Sequence, residues 1–267
     1  MAGAGACYVD WRAEEEVRST ILEAALAHER LVEAPALPVV EVELAARGRN
    51  LFVETCAACH GAEGRGVERL GKDLVTSDFV AGCTDERLVA FLETGRPEAR
   101  PTAMPAKGGR ADLTSDDLAA IASFLRGLQD PRRMPSLPEY VVDATPTEAQ
   151  SAAALELAGG DEELAAWIAS GDKLFHSTCM ACHGRGGVGV AGNGKALRDN
   201  PFVQSLDDDG LLAFIQSGRG PSDPLNTTGI QMPPKGGNPA LSEDDILDII
   251  SYLRTLQPAS QGALTSN

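Results

Sequence analysis

The sequence has 267 residues, of which 43% are hydrophobic and only 4% aromatic, so it can form two small globular domains with extensions. No apolar run approaches the roughly 20 residues that a bilayer-spanning helix needs, which predicts that the chain has no transmembrane helix of its own. A net charge of −16 argues against nucleic acid as a partner. The charge suits either a soluble surface or the docking of a basic protein.

The first segment, residues 1–43, is expected to be an N-terminal extension. Residues 11–32 have the charged and apolar pattern of an amphipathic helix, and two prolines interrupt the extended stretch that follows. Residues 1–10 contain neither the basic nor the apolar region of an export signal. Small residues precede Cys7, which leaves a lipid anchor at this cysteine open.

The first predicted domain, residues 44–129, opens with a helix over about 43–57. Leu44, Leu51 and Phe52 are expected to face the interior from this helix. The apolar side of the helix would then border the group that is bound by the residues at the end of the helix.

The end of this helix carries the string Cys56-Ala57-Ala58-Cys59-His60, followed by a glycine-rich loop. Two cysteines one helical turn apart can each add a thiol to one vinyl group of a haem, and the adjoining histidine can then bind the iron. A bare C-x-x-C also occurs in zinc sites and in thioredoxin-like redox centres. The histidine that follows favours haem.

Further helices are predicted in the first domain from their capping residues. Thr84-Asp85-Glu86 is typical of a helix start, and Gly95 is typical of a helix end. Thr114 opens the last helix, which runs to about Gln129. Because no alternating strand pattern accompanies these helices, the predicted fold class is all-α.

A linker and a connecting helix, residues 130–160, separate the first domain from the second. Four prolines within residues 130–146 predict an extended and fairly stiff connection, and a helix is expected over 147–158. The second domain covers residues 161–257, and Gly171 is expected to break or bend its first helix. A loose C-terminal tail, residues 258–267, follows.

The second domain repeats the first. The string Cys179-Met180-Ala181-Cys182-His183 lies 123 positions after the first C-x-x-C-H string, and the same offset continues to Gly218-Arg219. Five extra residues near 220–228 then raise the offset to 128. A two-copy repeat of this length indicates a duplicated domain and not a solenoid. Each copy is small, so a bound haem would supply apolar surface that its core lacks.

One pair of methionines recurs in matching positions. Met104 and Met232 each precede a proline in the loop before the last helix of their domain, whereas the other methionines have no such counterpart. A methionine thioether on the second axial position of a haem favours the ferrous state. The sequence therefore predicts two six-coordinate haems, with ligand pairs His60/Met104 and His183/Met232.

Other polar residues leave alternatives open. Lys107 and Lys235, beside the methionine loops, could meet haem propionates, a partner protein or solvent. His28 and His176 are expected to be surface or packing residues. Cys83 has no cysteine counterpart in the second copy and is expected to be a packing thiol, although a disulfide with Cys7 stays open.

These residues resemble the class I cytochrome c family: a helix ending in C-x-x-C-H-G, a Met-Pro loop and a C-terminal helix, over residues 44–129 and 167–257. The resemblance implies two tandem cytochrome c-like domains and two covalently bound haem c groups. The thioethers would form at Cys56, Cys59, Cys179 and Cys182. The family attaches haem outside the bacterial cytoplasm, which implies the periplasm or the outer face of the cytoplasmic membrane.

The resemblance implies electron transport between redox proteins. The segment from Asn226 to Gly237 is similar to cytochrome subunits of bacterial respiratory complexes. The chain is therefore expected to act as a free carrier or as a subunit of a membrane-associated electron-transfer complex of the respiratory chain, with a basic-surfaced cytochrome or an oxidase as partner. The alternatives are a dihaem oxidoreductase, peroxidase-like or thiosulfate dehydrogenase-like, with one catalytic haem, and a purely sensory or structural haem protein.

Overall fold

The computed structural model describes three stretches of the chain: residues 19–23, 40–99 and 102–258. The chain divides into two units, Met1–Pro38 and Val39–Asn267. In the first unit, the described residues 19–23 are helical. In the described stretches, no helix combines the length and the apolar character needed to cross a membrane.

Several sequence-based expectations lie outside the described residues. They are the lipid anchor at Cys7, most of the helix over 11–32, any role of His28, and the tail over 259–267. These expectations stay predictions.

The first half of the second unit is helical. In chain order its helices are α1 (Val42–Thr55), α2 (Ala57–His60), α3 (Asp78–Gly82), α4 (Asp85–Thr94) and α5 (Ser115–Gln129). The predicted caps are confirmed. The Thr84 hydroxyl accepts a hydrogen bond from the Arg87 backbone N–H, and Thr114 forms a reciprocal capping box with Asp117 at the start of α5.

The connection and the second half continue the helical pattern. Their helices are α6 (Glu148–Leu157), α7 (Glu162–Leu174), a π-helical turn (Phe175–Cys179), α8 (Met180–His183), α9 (Pro201–Ser205), α10 (Asp208–Ser217) and α11 (Glu243–Thr255). Short 3₁₀ turns occupy Ala106–Gly109, Pro131–Arg133, Arg185–Gly187 and Pro234–Gly237. The described residues contain isolated β-bridges and no strand, so the all-α prediction is confirmed.

In each half, the first long helix crosses the last one at a glycine. A Cβ atom on Gly48 of α1 would collide with the carbonyl oxygen of Ala120 on α5, and one on Gly171 of α7 would collide with the carbonyl oxygen of Asp248 on α11. Only glycine allows this close approach. Gly171 does not break its helix, because α7 runs through it without interruption and the regular α-helical pattern gives way only at Phe175. A bend at Gly171 stays a prediction.

Each half has its own hydrophobic core. Phe52 packs on Phe124 in the first core, with ring centres 5.5 Å apart, and Phe175 packs on Tyr252 in the second, 5.3 Å apart. Leu44 does not join the first core as expected, since 38% of its surface is exposed near the start of α1. Cys83 is buried in the first core, in agreement with a packing role.

Arg126 should be a major contributor to the stability of the first half. Its guanidinium is buried and donates hydrogen bonds to the carbonyl oxygens of Val80, at 2.6 Å, and Cys83, at 2.5 Å. Arg126→Ala would leave both oxygens without this donor, and we expect the free energy of unfolding to fall by about 2–4 kcal/mol in denaturant titrations. The equivalent Arg254 is more exposed, so Arg254→Ala should cost less. An equal or smaller loss for Arg126→Ala would contradict this role.

Candidate haem centres

A mostly apolar cavity of about 520 Å³ occupies the first half. Cys56, Cys59 and His60 reach it from the α1–α2 junction, and Met104 reaches it from the loop before α5. The structure thus brings together the four residues of the first half that the sequence singled out. The cavity volume lies within the range of small-molecule and cofactor sites.

The second half contains an equivalent cavity of about 310 Å³. It is lined by Cys179, Cys182 and His183, and by Met232 from the corresponding loop. The predicted site residues of each half therefore all line the cavity of that half.

The backbone fixes the orientation of both histidines. The Nδ1 atom of His60 lies 2.8 Å from the carbonyl oxygen of Lys72, and that of His183 lies 2.8 Å from the carbonyl oxygen of Lys195. Because a carbonyl only accepts hydrogen bonds, Nδ1 must carry the proton, which leaves the Nε2 lone pair free for a metal. Burial lowers the pKa of both histidines, although the carbonyl hydrogen bonds oppose it. Both side chains are therefore suited to act as neutral ligands.

Each methionine is held by a pair of backbone hydrogen bonds. The Arg96 N–H donates to the Met104 oxygen at 2.7 Å and the Met104 N–H donates back at 3.1 Å; for Arg219 and Met232 the distances are 2.8 and 2.9 Å. The loop that contains each methionine is thereby fixed before the last helix begins.

The lysines beside the methionine loops close the following turn. Lys107 and Lys235 both have a left-handed backbone, with φ of 52°. The Nζ atom of Lys107 donates to the carbonyl oxygen of Leu113 at 2.8 Å, and that of Lys235 donates to the carbonyl oxygen of Leu241 at 2.7 Å. These contacts assign the lysines a structural role in the loops.

Two arginines on the cavity walls were given no role in the sequence analysis. The guanidinium of Arg96 stacks over the rings of Phe79 and Phe91, at 4.6 and 4.9 Å from their centres. Arg219 stacks in the same way over Phe202 and Phe214, at 4.7 Å from each centre. The sequence repeat could have identified these residues. The offset of 123 residues relates all three pairs, which are Arg96 and Arg219, Phe79 and Phe202, and Phe91 and Phe214.

Among the described residues, four buried polar atoms without a hydrogen-bond partner belong to residues that line the cavities. They are Thr55 Oγ1, Thr178 Oγ1, Asn193 Oδ1 and Arg219 Nε. Thr55 lines the first cavity, Thr178 and Arg219 line the second, and Asn193 lines both. Such atoms are costly unless a ligand supplies a partner. An apolar ring with acidic substituents, such as haem, fits walls of this composition.

The cysteines suit thioethers better than a zinc site. Burial raises the pKa of both Cys56 and Cys179 to about 12, which keeps these thiols uncharged in their apolar surroundings, and a thioether is uncharged as well. In the described stretches, no group of three or more His, Cys, Asp or Glu side chains is placed to hold a metal ion. The residues therefore fit haem attachment and do not fit a zinc site.

His176 lies outside both cavities and should make stability depend on pH. Its Nδ1 is 2.9 Å from the Asp172 carboxylate, whose hydrogen bond raises the pKa of His176 despite partial burial. Burial opposes ionisation of Asp172, but the hydrogen bonds from His176 and Gln150 outweigh it and lower the pKa of Asp172. The ion pair is thus formed above the acid range in which Asp172 is protonated and below the raised pKa of His176.

Because the pKa of His176 is higher in the folded state than in the unfolded state, its protonation stabilises the fold. This stabilisation is complete below the unfolded-state pKa of about 6.5 and is lost above the folded-state pKa. We expect wild type to be more stable than His176→Gln at about pH 6, with the difference shrinking as the pH rises through the folded pKa. Denaturant midpoints measured across this range would test this. A difference that does not change with pH would contradict it.

Comparison with known families agrees with this geometry. Residues 43–125 and 166–253 match the family described as cytochrome c oxidase, cbb3-type, subunit III, and together these segments make up more than half of the chain. The chain belongs to this family. The resemblance to class I cytochrome c and the tandem arrangement of two cytochrome c-like domains are therefore confirmed, and covalently bound haem c is implied by the family.

The curated proteins to which this chain is similar are subunits of electron-transfer complexes. The chain is 26% identical to a cbb3-type cytochrome c oxidase subunit FixP of Bradyrhizobium diazoefficiens over 73% of this chain and 59% of the relative. It is also 26% identical to a subunit CcoP of Rhodobacter capsulatus, over 78% and 61%. A cytochrome bc1 complex cytochrome c subunit of Mycobacterium tuberculosis is 26% identical over 80% and 64%.

The chain spans about three fifths of the length of these relatives. No solved structure matches it at a significant level.

Proposed function

We propose that the chain is a dihaem c-type cytochrome that relays single electrons between redox partners. One haem c is bound by Cys56 and Cys59 in a domain over residues 44–129. The other is bound by Cys179 and Cys182 in a domain over residues 161–257. When bound, each haem supplies an iron that alternates between the ferrous and ferric states.

One observation carries this proposal: each cavity is lined by both a histidine and a methionine. His60 and Met104 would fill the two axial positions of one iron, and His183 and Met232 those of the other. A filled sixth position leaves no site for a substrate or peroxide, so this arrangement favours electron relay over catalysis. The backbone hydrogen bonds on the histidines and methionines would hold these ligands in place.

The chain's own residues also prepare the cavities for the two groups. Apolar side chains from the helices would exclude water from the rings, which favours a high reduction potential, as methionine ligation also does. Arg219 and Thr178 would donate to acidic substituents of the second haem. Thr55 would do so in the first cavity.

We further propose that the chain works as a subunit of a membrane-associated respiratory complex on the periplasmic face of the cytoplasmic membrane. The names of the relatives, oxidase and bc1 complex subunits, support the role as a complex subunit. The periplasmic face follows from the resemblance to class I cytochrome c, whose haem is attached outside the bacterial cytoplasm. The net charge of −16 would attract a basic-surfaced cytochrome as the electron donor.

Denaturing mass spectrometry of the exported protein tests the cofactor content. We expect a mass increase equal to two haem groups that survives unfolding, because thioether bonds are covalent. A mass increase of one haem or none would contradict the proposal. Carbon monoxide added to the reduced protein tests the closed sixth position: strong binding at one haem would instead indicate a dihaem oxidoreductase.

A further inference from the structure

The two haem-attachment motifs meet where the halves of the chain are in contact. The side chains of Cys59 and Cys182 lie beside each other, close enough for each to influence the ionisation of the other, although the two residues belong to different halves. Both are the second cysteine of their C-x-x-C-H string. One of the two sulfur atoms that would be bonded to each haem therefore lies beside one that would be bonded to the other haem.

The packing around this contact is reciprocal. Helix α2 of the first half lies on the Pro234–Gly237 turn of the second, so close that a Cβ on Gly237 would be 2.6 Å from the Ala58 Cα. Helix α8 of the second half lies on the Ala106–Gly109 turn of the first, and a Cβ on Gly109 would be 3.4 Å from the Ala181 Cα. Glycine in both turns allows the motifs to approach each other.

A single polar side chain is shared by the two cavities. Asn193 is only 9% exposed, lines both cavities, and has no partner for its Oδ1 atom. Its Nδ2 atom lies 3.5 Å from the Ala181 carbonyl oxygen. The first copy has Leu70 at the equivalent position, so this amide is an asymmetric feature of an otherwise symmetric contact. The cavities thus approach each other closely enough for one side chain to border both.

We propose that electrons cross between the two halves at the contact of Cys59 with Cys182, with Asn193 as the only polar side chain common to both cavities in the described residues. This inference rests on the proposed function, because it requires a haem on each cysteine. In the crossing, a ferrous haem in one half loses one electron and becomes ferric, and the ferric haem of the other half gains that electron and becomes ferrous. No bond forms or breaks and no proton moves.

The position of the contact favours this route over exchange through an external partner. The two cysteines are half-buried and already lie side by side, so neither half has to open or rotate to bring them together. The tight Gly237–Ala58 packing also limits separation of the motifs. An electron that enters the haem of one half can therefore leave from the haem of the other.

Electron paramagnetic resonance of the fully oxidised, intact protein tests this inference. We expect the two low-spin ferric haems to show a magnetic interaction, so that the spectrum is not the sum of two independent haems. In Gly237→Ala the new Cβ must push α2 away, and the interaction should be lost or strongly weakened. Gly160→Ala is the matched control, because Gly160 has φ of +91°, close to the +90° of Gly237, but open space around it.

The outcomes separate the inference from the proposed function. Two bound, six-coordinate haems with additive spectra in wild type would overturn the crossing but leave the proposed function intact. An interaction that persists unchanged in Gly237→Ala would also overturn it. Should that variant fail to fold, the wild-type spectrum still decides. One haem per chain by mass would instead contradict the proposed function.

Discussion

Gly48→Val is expected to prevent the first half from folding around its haem while the second half keeps its own. The valine side chain would collide with the Ala120 backbone and with the Phe124 Cβ, so α1 could not lie against α5. Forced separation of two packed helices costs several kcal/mol, about 3–5 here, which is comparable to the stability of a small domain. Haem content should fall from two groups per chain to one.

The second half allows the equivalent substitution to be tested, and a glycine with open space around it provides a control. Gly171→Val should remove the haem of the second half only, because its Cβ would meet the Asp248 backbone on α11. Gly82→Ala should leave both haems in place, since a Cβ at Gly82 has no neighbour within 4 Å. Two haems retained by Gly48→Val would show that the close helix crossing is not needed.

Met104→Ala and Met232→Ala should each open the sixth position of one haem and leave the other closed. The weak absorption that arises from sulfur bound to ferric iron should lose one of its two contributions in each variant. The reduction potential of the affected haem should fall, because a thioether stabilises the ferrous state. The reduced variant should also bind carbon monoxide at one haem. Absorption spectroscopy of the oxidised and reduced proteins measures these changes.

Met134→Leu is a suitable control for the methionine substitutions. Met134 packs against the first core, at Gly127, and does not line either cavity. A substitution of similar volume there should change neither the sulfur absorption nor carbon monoxide binding. Unchanged spectra in Met104→Ala would instead exclude this residue as the ligand.

Local signals in the sequence predicted most of the helices. The capping residues Thr84 and Thr114 mark the starts of α4 and α5 because their side chains satisfy backbone N–H groups only a few residues away. Comparison of the two copies also placed both methionines in matching loops. In each half the structure places the methionine on the same cavity wall as the histidine.

Features that depend on distant residues could not be predicted in the same way. The predicted break at Gly171 was wrong because helix propensity disfavours glycine, whereas the contact with Asp248 on α11 requires it. The hydrogen bonds of Arg126 to Val80 and Cys83 span more than forty residues and leave no local pattern. The contact of Cys59 with Cys182 depends on how the halves pack, which the repeat does not encode.

Unequal surroundings should give the two haems different potentials. The cavities differ in volume, about 520 and 310 Å³, and Asn193 stands where the first copy has Leu70. The second methionine loop also contains five extra residues. Polarity, burial and hydrogen bonding near a haem all change its potential. A difference of this kind would give the relay a preferred direction.

Potentiometric titration of the intact protein, followed by the haem absorption, tests the electron-relay function most directly. We expect two reversible one-electron transitions at different potentials, with both haems low-spin throughout. A single transition from one haem, or a high-spin haem with an open axial position, would contradict a dihaem relay with His60/Met104 and His183/Met232 ligation.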